Sequence, residues 1–173
     1  MEEKLTKKEK DVLVELIKNG RITDQEIARR LKTSRPTVFK IRKRLEDKGI
    51  IRNYSALVDF EKIGIGIQAV ILYMWRDYSK SQELERVIKF IKSLPEVVLF
   101  IKGEGLGSKT DLIISVHRDL KEYETFIRKL KYEWKDNVEN VEVFISSIDG
   151  ISKGYDLASP VLAKIREDVI SLG

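Results

Sequence analysis

The stretch Ser34-Arg35-Pro36-Thr37-Val38-Phe39-Lys40-Ile41-Arg42-Lys43-Arg44-Leu45-Glu46-Asp47-Lys48 decides the fold. Ser34 is placed as an N-cap, Pro36 sits in the first turn where its missing N–H costs nothing, and Gly49 supplies the stop. Within the helix so bounded, Val38, Ile41 and Leu45 fall at i, i+3 and i+7 and form one apolar stripe. At about 100° per residue, Pro36, Lys40 and Lys43 point away from that stripe. Phe39 and Arg44 lie on its shoulders, and Ser34, Arg35 and Thr37 lie at the N-terminal tip. The helix is therefore apolar toward its own domain and basic toward solvent.

Working back toward the start, Thr6-Lys7-Lys8-Glu9 and Thr23-Asp24-Gln25-Glu26 each fit a capping box. Val12, Leu13, Leu16 and Ile17 recur at helical spacing behind the first, with Asn19-Gly20 as a left-handed stop. Ile27, Ala28 and Leu31 give the second helix one apolar side. Lys32-Thr33 then forms a tight connection to the third helix. Three helices, with the second and third joined by a short turn and the third basic outside, make a helix-turn-helix, whose third helix fits a major groove and presents its N-terminal residues to base edges.

Charge agrees. Residues 1–60 hold 16 Lys and Arg against 10 Asp and Glu, whereas the rest of the chain is close to neutral although the whole carries +5. Residues 29–52 alone carry ten basic side chains against Glu46 and Asp47. A one-signed field over so short a stretch suits a polyanion, and a well-solvated helix is the plainer alternative. The 173 residues contain no cysteine and one histidine, His117, which excludes disulfides, thiolate nucleophiles, Cys-rich zinc sites and His-rich metal centres. No cofactor or metal is called for. The wealth of Lys and Glu hints at a hot environment. No run is long enough to span a membrane and the start lacks a secretory signal, so the cytoplasm is the expected compartment.

The segments Thr23 to Leu31, Ser34-Arg35-Pro36-Thr37-Val38, Arg42, Leu45-Glu46 and Gly49-Ile50-Ile51 together resemble the DNA-binding domain of the Lrp/AsnC family of transcription regulators. Ile51 to Val58, followed by Asp59, Lys62, Ile63 and Gly64, is similar to that family's linking strand and hinge. The order of these motifs over some 150 residues makes the resemblance specific.

Beyond the hinge the elements alternate. Ile65 to Trp75 reads as a strand, Ser81 to Leu94 as a helix, Val97 to Lys102 as a strand, Asp111 to Val116 as a strand, Asp119 to Trp134 as a helix on Leu120, Tyr123, Ile127 and Leu130, and Val138 to Ser147 as a last strand. The order βαββαβ is the ferredoxin-like arrangement, with both helices on one face of an antiparallel sheet. The fold class is thus α+β. A helix-turn-helix domain with its linking strand spans 1–59, a hinge 60–64, a ferredoxin-like domain 65–149, and an extension 150–173. In the extension Ser159-Pro160 can cap a helix with a stripe of Val161, Leu162, Ile165, Val169 and Ile170. The first strand of the sheet is apolar on both faces, Ile65 to Trp75 at odd positions and Val70, Leu72 and Met74 at even ones. Two helices cover one face only, so the other is expected to pack on a second copy, unless the C-terminal tail covers it. The resemblance implies the same: a homodimer, often assembled further into tetramers or octamers.

Gly103-Glu104-Gly105-Leu106-Gly107-Ser108-Lys109-Thr110 nearly matches a phosphate-binding loop, but Ser108 stands at a required glycine and a strand follows where a helix is needed. A glycine-rich hairpin is the better reading. The family resemblance places a short Gly-x-x-Asp turn here, used at the dimer interface to hold an amino-acid effector, with Gly103 and Asp111 as its ends. In this chain those ends lie eight positions apart, a longer loop. As an effector site it would offer the amides of Gly105 and Gly107 to a carboxylate and Glu104 or Asp111 to an ammonium, with Leu106 between them. As a plain loop it would hold nothing.

The function these features imply is a sequence-specific transcription regulator that binds double-stranded DNA, with a small effector such as an amino acid. Lys and Arg on phosphates supply affinity; Ser34, Arg35, Thr37 and Lys40 supply base readout, with Pro36, Phe39, Lys43 and Arg44 beside them. An architectural DNA-coating protein is the alternative. An enzyme akin to the tetrapyrrole decarboxylases that share this layout would need His117, which reads as a tolerated strand-end residue.

Overall fold

The computed structural model describes residues 5–152, apart from the Leu106 side chain, and helix 158–170, with side chains to 164. It divides into two units, one made of the chain up to Leu57 together with the C-terminal helix, the other of Val58–Ser152.

The first unit holds α1 (Lys7–Lys18), α2 (Asp24–Arg30), α3 (Arg35–Asp47) and the C-terminal helix. The Thr6 capping box is complete: its hydroxyl accepts from the Glu9 amide at 3.3 Å and the Glu9 carboxylate accepts the Thr6 N–H at 2.8 Å. The Thr23 box is half made. Thr23 accepts from the Glu26 amide at 3.2 Å, but the Glu26 carboxylate turns to Arg30 at 2.5 Å, because a guanidinium one turn away is the stronger donor. Asn19 ends α1 in extended backbone rather than a left-handed stop. Left-handed residues stand instead at Lys32, in the turn between α2 and α3, and at Gly49. Val12, Leu16, Ile22, Ile27, Ala28 and Val38 form the core, with Leu31, Ile41 and Ile51 against it.

Residues 51–58 form no strand. A strand needs a ladder, and none of the described residues pairs with this one. The C-terminal helix, Ala158–Ile170, begins at Ala158, so Ser159 and Pro160 lie inside its first turn rather than before it. It packs on α1. Of its expected stripe, Ile165, Val169 and Ile170 lie outside the described side chains.

The second unit contains β1 (Ile67–Trp75), a helix over Ser81–Ser93, β2 (Val97–Lys102), β3 (Asp111–His117), a helix over Leu120–Trp134 and β4 (Val138–Ser147). The strands lie in the order β2-β3-β1-β4, all neighbours antiparallel. Gly64, left-handed at φ 82°, precedes β1 within this unit. Alternation along β1 sends Ala69, Ile71, Tyr73 and Trp75 under the helices, where they meet Val87, Ile91, Phe126, Leu130 and Trp134. Each buried Val, Ile, Leu or Phe among these contributes about 1.5–3 kcal/mol. Leu120, expected in that stripe, is half exposed at the first position of its helix. No helix among the described residues is long and apolar enough to cross a membrane.

Candidate nucleic-acid interface and effector loop

On α3, Ser34 caps as expected, accepting from the Thr37 amide at 3.3 Å, and the two hydroxyls bond each other at 2.7 Å. Arg35, Pro36, Phe39, Lys40 and Lys43 are exposed, and Thr37 is half-buried beside them. Val38 and Leu45 are fully buried on the opposite side, so the face read from periodicity is the one that faces solvent.

The ten basic residues are not equivalent. Arg42 donates to Asp24 at 2.7 Å and to the Ile22 carbonyl at 2.9 Å, tying α3 to the start of α2. Arg30 is held by Glu15 at 2.8 Å and by Glu26. Arg44 lies 3.2 Å from Glu9, whose carboxyl is almost wholly buried. The Thr6 N–H, with Arg44 behind it, holds the Glu9 carboxyl below its ordinary value. Hydrogen bonding to Arg30 does the same for Glu15. Arg44, expected on the DNA face, is thus shared with α1. Tyr54 donates to Glu46 at 2.8 Å and lies under Arg42, bracing the segment after α3. Among the described residues, Arg35, Lys40 and Lys43 carry no such internal partner.

In the second unit, residues 103–110 do connect β2 to β3. The Gly103 amide donates to the Thr110 carbonyl and the Gly105 amide to the Lys109 carbonyl, each at 2.8 Å. The Gly105 amide, expected to meet an effector carboxylate, is therefore engaged within the loop. Leu106 to Ser108 form a short 3-10 turn, with Gly107 and Ser108 left-handed. No helix follows, in keeping with a hairpin and not a phosphate loop. Glu104 and Gly107 are exposed, whereas Asp111 is only 4% exposed. One Asp111 oxygen accepts from the Thr110 hydroxyl at 2.6 Å, and burial raises its carboxyl above its ordinary value.

The burial of two residues in this unit was not foreseen from the sequence. Lys109 is 7% exposed, and its ammonium bonds the Asn140 carbonyl and lies 2.8 Å from Glu142. A lysine in a glycine-rich loop carries no sign of burial; only Asn140, a residue type tolerant of its left-handed φ of 52°, hinted at a bulge in β4. His117 also differs from expectation. It is 1% exposed, its Nε2 is 2.9 Å from the Ser115 hydroxyl, and its ring packs on Tyr123 and Phe126. Desolvation lowers its pKa, so it is a neutral core side chain.

A helix-turn-helix with an open basic face, in a chain that also folds a four-stranded ferredoxin-like sheet, defines a DNA-binding transcription regulator. Residues 5–52 match the family described as winged helix-turn-helix DNA-binding. The chain is 31% identical over 127 residues to the DNA-binding transcriptional activator DecR of Escherichia coli, covering 73% of this chain and 81% of that one. It is 30% identical over 122 residues to the HTH-type transcriptional regulator LrpC of Bacillus subtilis, covering 64% and 82%. Among solved structures, the transcriptional regulator NMB0573/L-Met complex from Neisseria meningitidis superposes with a TM-score of 0.75 at 25% identity, covering 89% of this chain and 96% of that one. The chain belongs to the Lrp/AsnC family of transcription regulators.

Proposed function

We propose that the protein regulates transcription as a homodimer or higher homo-oligomer in the cytoplasm, reading DNA through the tip of α3 and responding to an amino acid. The observation that carries the assembly is the bare face of the sheet. Opposite the helices, Leu99, Ile101 and Phe144 are 39%, 45% and 67% exposed, beside half-buried Val70, Leu72 and Ile114. A contiguous apolar face of this kind marks a protein–protein interface, and a two-fold pair would present two recognition helices to a pseudo-palindromic site. Arg35 is assigned to guanine, with Ser34, Thr37 and Lys40 on neighbouring bases. Lys43 and Arg44 serve phosphates, and Pro36 and Phe39 supply apolar contact. Nothing favours the architectural alternative, and a His117 sealed in the core has no route to a tetrapyrrole.

The L-Met complex of the Neisseria relative supports an amino-acid effector, and we assign it to the loop of Gly103, Glu104, Gly105, Leu106, Gly107 and Asp111 on the family resemblance of that loop. The test is sedimentation of the full chain at micromolar concentration, combined with promoter binding in the presence and absence of each standard L-amino acid. A dimer or larger species whose DNA affinity shifts with one amino acid supports the reading. A monomer, or an assembly indifferent to all of them, refutes the corresponding half.

A further inference from the structure

We infer that the cup formed on β4 by the Asn140 carbonyl and the Glu142 carboxylate is the ammonium subsite of the effector site, and that Lys109 occupies it as a tethered competitor. The inference rests on the effector reading above and names the acceptors, which that reading had sought in Glu104 or Asp111.

The chain shows where an ammonium goes in this region. A lysine ammonium has three donors and no acceptor, so burying it is costly unless carbonyl or carboxylate oxygens receive it. Lys109 has both kinds, the Asn140 carbonyl and Glu142 at 2.8 Å. The cup is built, because Asn140 sits left-handed at φ 52° where the β1–β4 register breaks between Leu72 and Met74. A bulge of that kind frees a carbonyl from the ladder. On the loop side, the Gly105 amide donates to the Lys109 carbonyl at 2.8 Å and holds the lysine's backbone in place. Asp111 is a poor competitor for the role, being 4% exposed with one oxygen already taken by Thr110.

Glu142, by contrast, is 71% exposed and pairs in register with Leu72, on the bare face of the sheet. A free amino acid arriving at the rim of that face meets a carboxylate open to solvent on one side and occupied by Lys109 on the other. The α-ammonium and Lys109 compete for the same oxygens. Effector binding then expels Lys109 and unpins residues 103–110 beside the surface through which copies pair.

The experiment uses the full chain and two variants. Lys109→Met keeps the buried stem and removes the competing ammonium; Glu142→Gln keeps the cup's shape and removes its charge. Circular dichroism establishes that each is folded. Calorimetric titration with L-methionine, and with each other standard L-amino acid, reads affinity; amide hydrogen exchange reads the loop. A self-ligand that fills its site most of the time lowers apparent affinity by the open fraction, so Lys109→Met is expected to bind about tenfold more tightly. Glu142→Gln is expected to bind at least about tenfold more weakly, having lost a charge-assisted bond. Both should exchange faster at the Gly103 and Gly105 amides while β1 and β3 stay protected. A merely structural lysine gives faster exchange with affinity unchanged or weakened in Lys109→Met, and that result overturns the inference while leaving the effector reading intact. If no amino acid binds the native chain or Lys109→Met, the effector reading itself fails and the subsite falls with it.

Discussion

Two arginines on one helix should fail in opposite ways. Arg42 is 18% exposed and makes a 2.7 Å bond to an Asp24 that is 17% exposed, plus a 2.9 Å bond to the Ile22 carbonyl. Arg42→Ala leaves a mostly buried carboxylate and a carbonyl without their donor. A fully buried pair broken on one side costs about 3–5 kcal/mol. Here Asp24 lies in the first turn of α2, where the helix dipole still favours it, so about 2–3 kcal/mol is expected. For a unit of this size that lowers the melting temperature by about 10–20 °C. Arg35 is exposed at the tip of α3, so Arg35→Ala should move stability by less than about 0.5 kcal/mol. It should instead cost about 1–3 kcal/mol of binding to the cognate duplex, about 5–150-fold, with scrambled DNA little affected. Thermal melts and fluorescence anisotropy at low temperature, run on both variants, separate the two. If Arg35→Ala melts early with specificity intact, or Arg42→Ala loses specificity at full stability, the division between structural and reading arginines is wrong.

Phe144→Glu combined with Leu99→Glu places charge on the bare sheet face and should yield monomers by sedimentation with the sheet unit still folded; an unchanged assembly would move the interface elsewhere. Gly66→Ala should destabilise the second unit by about 1–3 kcal/mol in a denaturant titration, because its Cβ would stand 2.8 Å from the Arg118 carbonyl. Burial lowers the His117 pKa, so the unfolded chain takes up the proton first. Stability of the sheet unit should therefore fall as pH drops through the ordinary histidine value near 6.5 toward its lower folded value. Asp111, raised by burial, acts in the opposite sense, gaining stability on protonation. His117→Phe should flatten the loss between about pH 7 and 5, and an unaltered slope would mean the imidazole is not the group responsible.

Much of this was legible in the chain itself, for physical reasons that differ by element. Caps at Thr6 and Ser34 and the stripe of Val38, Ile41 and Leu45 are local codes, written within one or two turns, and they located the solvent-facing side of α3. The two-faced β1 announced a covered and an uncovered side because strand alternation is also local. What stayed hidden depends on contacts distant in sequence. Arg44 reads as a surface cation until α1 brings Glu9 beneath it, 35 positions away. Lys109 reads as loop until β4 brings Asn140 and Glu142 alongside. His117 does end β3, but its burial was hidden, because the helix over Leu120–Trp134 folds Tyr123 and Phe126 across it. Residues 51–58 have strand composition, and composition cannot supply the missing partner.

The most direct test of the central claim is anisotropy with a duplex from the protein's own promoter region and a scrambled duplex of equal length, each titrated at two salt concentrations. A specific regulator reading bases through the tip of α3 should prefer the promoter by about a thousandfold or more at physiological salt, with both affinities falling as salt rises. Equal binding to the two duplexes, however tight, would contradict it.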